Sequence, residues 1–229
     1  QNTLIGGLAG DALLAASDNV AVGYGALSEE TGGQNNVAVG RSALANQVNS
    51  SGNIYNTAVG AKAGQLVTTG ASNTLIGGLA GDAITDADFN VAVGKSALSA
   101  DTLGQRSVAI GTFALEVQNF TSATDVYNTA VGHGAGGVVT TGFRNTLIGA
   151  LAGVALTDAN YNVAVGSHSL TSDTLGSKST AVGYTALFSQ NFTSATDAFN
   201  VAVGYEAGLL LTTGRFNTLI GALAGDALT

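Results

Sequence analysis

Asn90-Val91-Ala92-Val93-Gly94-Lys95-Ser96-Ala97-Leu98 is one of thirteen copies of a single phrase. The phrase reads [Asn/Ser]-[Thr/Val]-[Ala/Leu]-[Val/Ile]-Gly-x-x-[Ala/Ser]-[Leu/Gly]. Its copies begin at Asn2, Asn19, Asn36, Asn56, Asn73, Asn90, Ser107, Asn128, Asn145, Asn162, Ser179, Asn200 and Asn217. Nine of the gaps between copies are 17 residues and the other three are 20 or 21. A period this short marks one structural unit stacked on itself, because a single copy has too little apolar surface to bury alone. A parallel β-solenoid of thirteen coils is the fold class it predicts.

A second period lies above the first. Asn-Thr-Leu-Ile-Gly recurs at Asn2, Asn73, Asn145 and Asn217, so super-repeats of 71 or 72 residues hold four coils each. One coil in each is lengthened, giving long connections at 46–55, 117–127 and 189–199. Residues 1–229 therefore read as one repeat solenoid, and the truncated copies at both ends suggest a segment of a longer fibre. Long connections on one side of a solenoid either fit the shape of the coil or carry binding, and the first is the plainer reading.

Counting the Asn as position 1, positions 2 to 4 read as a short strand. Position 4 is always Val or Ile, position 2 always Thr or Val, and position 3 always Ala or Leu. Side chains alternate across a strand, so positions 2 and 4 share one face and position 3 points the other way. Both faces are apolar, the pattern of a strand buried on both sides. One face lines the coil, and the other must be covered from outside it. The Ala/Leu column (Ala21, Ala38, Ala58, Leu75, Ala92, Ala109, Ala130, Leu147, Ala164, Ala181, Ala202) is the expected outer strip. Its small side chains would let other copies of the chain approach closely, since an uncovered strip of that length is unusual on a monomer. On this reading Ala109→Asp breaks assembly and Asp101→Ala is nearly silent.

Gly at position 5 is present in every copy and implies a corner needing positive φ or the close approach of another chain. Asn at position 1 suits either an amide ladder between coils or a side chain that closes its own turn.

Composition narrows the function classes. Only 10% of residues are charged, against about 25% in an ordinary soluble protein. The net charge is −8 and there are seven basic residues, too few for a phosphate-tracking nucleic-acid face. No run of about 18 apolar residues marks a membrane span. Cysteine is absent, which removes disulfides, thiolate nucleophiles and zinc–thiolate sites.

The phrase, with Ser107-Val108-Ala109-Ile110-Gly111 as the nearest copy, resembles the head repeats of trimeric autotransporter adhesins. It is also similar to Asn-Thr-Ala-Val-Gly arrays in bacteriophage tail fibres and related bacterial surface fibres. The resemblance spans the whole chain. It implies a left-handed β-roll in a homotrimer, on a virion or otherwise extracellular, attaching to a host-surface glycan or receptor. The adhesin repeats are about three residues shorter and lack the long fourth coil, which favours a fibre over an adhesin head.

No motif for catalysis stands out, and no enzyme, cofactor or metal is expected. Asp86 and Asp88 are the nearest candidate for a carboxylate pair, Glu29 and Glu30 should diverge, and Asp101 and Asp173 are four coils apart. His133 and His168 lack partners at motif spacing. Gly-Asp at 10–11, 81–82 and 225–226 has the wrong spacing for calcium-binding nonapeptides. Asn49, Asn119 and Asn191 open glycosylation-type triplets in the long connections. Aromatic residues at the same connections, Tyr55, Phe120, Tyr127, Phe192 and Phe199, are candidate surface contacts for sugars or neighbouring chains. A position-13 Thr column (Thr31, Thr68, Thr85, Thr102, Thr140, Thr157, Thr174, Thr212) is the one candidate for an ice-binding array. A glycan- or ice-binding solenoid is the alternative to a fibre, and a depolymerising tailspike stands behind it.

Overall fold

The computed structural model describes residues 1–229, all of them strand, turn or irregular, with no helix. The chain is a parallel β-solenoid of thirteen coils, one for each copy of the phrase. It forms two compact units, residues 1–107 with 119–125, and residues 108–118 with 126–229. The first holds the phrase strands β1 (Thr3–Ile5), β2 (Val20–Val22), β3 (Val37–Val39), β4 (Thr57–Val59), β5 (Thr74–Ile76) and β6 (Val91–Val93). It also holds the short pair β7 (Gly104–Gln105) and β9 (Thr124–Asp125). The second holds β8 (Val108–Ile110), β10 (Thr129–Val131), β11 (Thr146–Ile148), β12 (Val163–Val165), β14 (Thr180–Val182), β16 (Val201–Val203) and β17 (Thr218–Ile220). A second short pair, β13 (Gly176–Ser177) and β15 (Thr196–Asp197), lies beside them.

Within each unit every phrase strand pairs in parallel with the next, in strict register. Thr57 stands opposite Thr74, Ala58 opposite Leu75 and Val59 opposite Ile76, and the same alignment recurs at each step. Like positions therefore form columns.

The position-3 column points inward. Every Ala or Leu from Ala21 to Ala202 is 0% exposed within the single chain. The expectation that this column faces other copies is corrected: it is the interior of the coil. Small residues are required there because each coil is thin. Where position 3 is Leu, room is made at position 9. A Cβ on Gly136 would lie 2.6 Å from Leu147 Cδ1, and one on Gly153 would lie 2.7 Å from Leu147 Cδ2. Coils with Ala at position 3 and Leu at position 9, such as Ala164 with Leu170, fill the same volume from the other side. Leu147→Ala should cost about 3 kcal/mol, because two flanking glycines have nothing with which to close the cavity. Chemical denaturation would show it as a lower unfolding midpoint.

Position 5 is glycine for two reasons that act together. Its φ lies between 124° and 145° in every coil, and at positions such as Gly40, Gly77, Gly132 and Gly166 an added Cβ would strike the backbone of the next coil of the same chain. The close approach is between coils of one chain, which corrects the expectation of another chain at this corner.

Asn at position 1 both ladders and closes its turn. Asn145 Oδ1 accepts from Asn162 N at 2.9 Å, in the next coil, while its Nδ2 donates to Ala159 O at 2.8 Å, in its own coil. Asn73 and Asn90 repeat the pattern with the same i, i+14 spacing. A fully buried amide is tolerated here because both ends are satisfied.

Candidate functional site

With Ala/Leu inside, the strands turn positions 2 and 4 outward. Along each ladder these form two parallel columns of β-branched side chains, half-buried by their own neighbours and uncovered from outside. Ile76, Ile110 and Ile148 are each 38% exposed. In the second unit the columns run through Val108/Ile110, Thr129/Val131, Thr146/Ile148, Val163/Val165, Thr180/Val182 and Val201/Val203. No charged residue interrupts them. This face is the candidate contact surface, on the side of the strand opposite to the one the sequence suggested.

The long connections are anchored by a buried carboxylate. At position 12, coils outside the lengthened pair carry an aliphatic residue, such as Ile84 or Leu156. The lengthened coils and those before them carry Gln47, Gln118 or Gln190 and Glu30, Asp101 or Asp173, all fully buried. Glu30 Oε1 accepts from Thr31, Gly32, Gly33 and Asn49 backbone N–H groups at 2.7–3.1 Å. Its Oε2 accepts from Gln47 Nε2 at 2.6 Å and Asn49 Nδ2 at 3.2 Å. In the third super-repeat Asp173 accepts from Gly176 N, Gln190 Nε2 and Phe192 N, and Gln190 passes the chain on to Asn200. Asp101 holds Gly104 N and Phe120 N in the same way. Asp101→Ala, silent on the sequence reading, would strip these partners, so that expectation is also corrected.

Burial pushes the Glu30 carboxyl up, but hydrogen bonds from Gln47, Gly33 and Asn49 outweigh it and leave the pKa below the ordinary value. The unfolded chain therefore takes up this proton first as pH falls. The stabilisation is complete above the unfolded value of about 4.3 and is lost as pH drops through the lower folded value. Glu30→Gln should cost about 2–3 kcal/mol at neutral pH, by turning an acceptor into a donor among donors. It should also flatten the acid limb of a stability–pH profile, which denaturation from pH 7 down to about 3 would reveal.

The aromatic candidates divide. Phe120 and Phe192 are 8% and 6% exposed, folded under the connections by the bonds to Asp101 and Asp173, so they are not surface contacts. Tyr55, Tyr127 and Phe199 are exposed, each at a left-handed φ just before the Asn. They stand in a corner column with cations. Arg144 lies 5.9 Å from the Tyr127 ring and 5.7 Å from Tyr161, Lys178 lies 5.2 Å from Phe199, and Phe199 stacks on Phe216. Lys178 also pairs with Asp197 of the connection at 2.6 Å, and Arg106 with Asp125 at 2.8 Å. These contacts clamp the chain to itself.

The remaining candidates are structural in their surroundings. Asp86 accepts from Thr69 Oγ1 and Asp88 from Ala71 N. Ser167 Oγ lies 2.9 Å from His168 Nδ1, and no group of three His, Cys, Asp or Glu side chains is placed to hold a metal ion. Asn49, Asn119 and Asn191 have side-chain amides engaged within the chain. The hydroxyls of Thr31, Thr68, Thr85, Thr102, Thr157 and Thr174 donate to the next coil and do not form a free array.

In each unit the outward face and the anchored connections define a stretch of β-solenoid whose apolar strand surface is covered by nothing within that unit. No family model, no characterised protein and no solved structure matches the chain.

Proposed function

We propose that this protein is a structural fibre element, a homotrimeric shaft or head that mediates attachment to a host or other surface. The observation that carries it is the pair of β-branched columns at positions 2 and 4, which are apolar, unbroken by charge and covered by nothing in the chain. Other copies of the same chain carry the same columns in the same register, and a closed ring of three around one axis hides all of them. The number three and the extracellular or virion setting rest on the resemblance to adhesin heads and tail fibres. The engagement of Glu30, Asp101 and Asp173 in bonds that hold the long connections speaks for a structural role.

Because the chain has no cysteine, a single Val131→Cys change reports on this face cleanly. Mild oxidation is expected to link copies of that variant through disulfides, while Asp86→Cys, away from the face, gives no more linkage than random collision. Equal linkage for both would remove support for the interface.

One observation favours a second reading. The outward position-2 column includes Thr57, Thr74, Thr129, Thr146 and Thr180, half-exposed on a flat parallel ladder. A monomer with thermal hysteresis would make this the ice-binding array, in place of position 13.

A further inference from the structure

In the first unit a cleft of about 420 Å³ opens at the corner after the strands, lined by Arg41, Ala61, Lys62, Gly78, Leu79 and Lys95. Three of the chain's seven basic residues meet here, in a protein of net charge −8. The cleft exists because position 6 shrinks. Reading along successive coils it is Arg41, Ala61, Gly78 and Lys95, so two small residues lie between two long cations. The floor is fixed by hydrogen bonds between coils, from Lys62 N to Arg41 O, Leu79 N to Ala61 O and Ser96 N to Gly78 O, at 2.9–3.1 Å.

Equivalent coils of the repeat do without these cations. At the equivalent places one super-repeat later, Arg41, Lys62 and Lys95 are replaced by Thr112, Gly134 and Ser167, while the floor residue Leu79 remains leucine at Leu151. Neither Arg41 nor Lys62 forms a salt bridge. Asp82 is the acidic group acting on Lys62. Burial raises its pKa, its own backbone N–H and the charge of Lys62 work against that rise, and one of its oxygens has no hydrogen-bond partner.

We propose that this cleft binds an acidic oligosaccharide, with carboxylate or sulfate groups on the cations and the C–H face of a sugar ring on Leu79 and Ala61. Arg41 and Lys95 are three coils apart, about 14 Å at the spacing of paired strands, with Lys62 between them. That arrangement suits an extended ligand with repeated negative charge rather than a single small anion. The volume falls within the roughly 300–1,000 Å³ of small-ligand clefts, and the aliphatic stems of Arg41 and Lys62 extend the apolar wall. The inference deepens the attachment reading by naming its ligand class.

The test is calorimetric titration of the whole chain with a tetrasaccharide of galacturonic acid, beside the uncharged galactose tetrasaccharide. Binding with a Kd of roughly 1 mM or tighter is expected for the acidic probe alone. It should weaken about tenfold in Arg41→Gln/Lys62→Gln and fall as salt rises, but persist in Lys178→Gln, which lies outside the cleft. No binding, equal binding of both probes, or full affinity in the double variant overturns the proposal. So does binding seen only when Val131→Asp has separated the copies, because a neighbouring copy would then fill the cleft. Solution mass measured on the same samples tests assembly independently, so loss of one does not stand for loss of the other.

Discussion

Gly132→Ala should destabilise the solenoid by at least about 3 kcal/mol, whereas Gly25→Ala should cost no more than about 1 kcal/mol. Both glycines lie just after a phrase strand and both have positive φ, but Gly132 is at position 5 and Gly25 at position 7. At Gly132, φ is +138°, a conformation reserved almost wholly for glycine, and a Cβ would lie 2.5 Å from the Gly149 carbonyl oxygen and 2.6 Å from its carbon. Those atoms are backbone of the next coil and cannot step aside without breaking the ladder. At Gly25, φ is +62° and the nearest atom to a Cβ is Ser42 Oγ at 4.0 Å. The same corner in later coils already holds Ser42, Lys62 and Leu79 at φ of 57–61°. Urea denaturation of both variants at one chain concentration would measure the difference, holding any contribution from assembly fixed. Equal midpoints would mean that the coils are not stacked as closely as the backbone indicates.

Val131→Asp should leave the coil folded and separate the copies. Val131 sits in the outward column between Ile110 and Ile148, half-exposed, so an aspartate there reaches water in a lone chain. Surface changes of that kind stay within about 0.5 kcal/mol. In the assembly the same carboxylate would be buried without a partner, at about 3–5 kcal/mol for each chain, or at least 100-fold in association. Ala109→Asp differs in kind. Ala109 is enclosed by its own coil, so the charge should unfold the chain and report nothing about assembly. Circular dichroism together with sedimentation separates the two results: folded and dissociated for Val131→Asp, unfolded for Ala109→Asp.

The coil count, the strands at positions 2 to 4 and the need for glycine at position 5 could all be read from the repeat, whereas the asparagine read as either a ladder or a turn and proves to be both. The direction of the strand could not, because both of its faces are apolar and alternation carries no sign when neither face is polar. A signal was nonetheless present. Leu4, Leu75, Leu147 and Leu219 each share a coil with Gly10, Gly81, Gly153 and Gly225 at position 9, and Ala at position 3 goes with Leu at position 9 in six of the thirteen coils. Such compensation of size arises only between side chains that share one interior. The anchors of the long connections were hidden for a different reason. Glu30, Asp101 and Asp173 look like turn carboxylates until Gln47 or Gln190 is placed against them, and a contact between residues 17 apart leaves no local mark. The burial of Phe120 and Phe192 follows from those anchors and was illegible for the same reason.

The fibre reading depends on whether the outward columns of this chain are covered by further copies of itself. Light scattering on the purified chain of 22.5 kDa decides this most directly. A mass of about 67 kDa, unchanged on dilution and reduced to that of one chain by Val131→Asp, is the predicted result for a closed trimer. A monomer at every concentration would contradict it and leave the β-branched face as a binding surface in its own right.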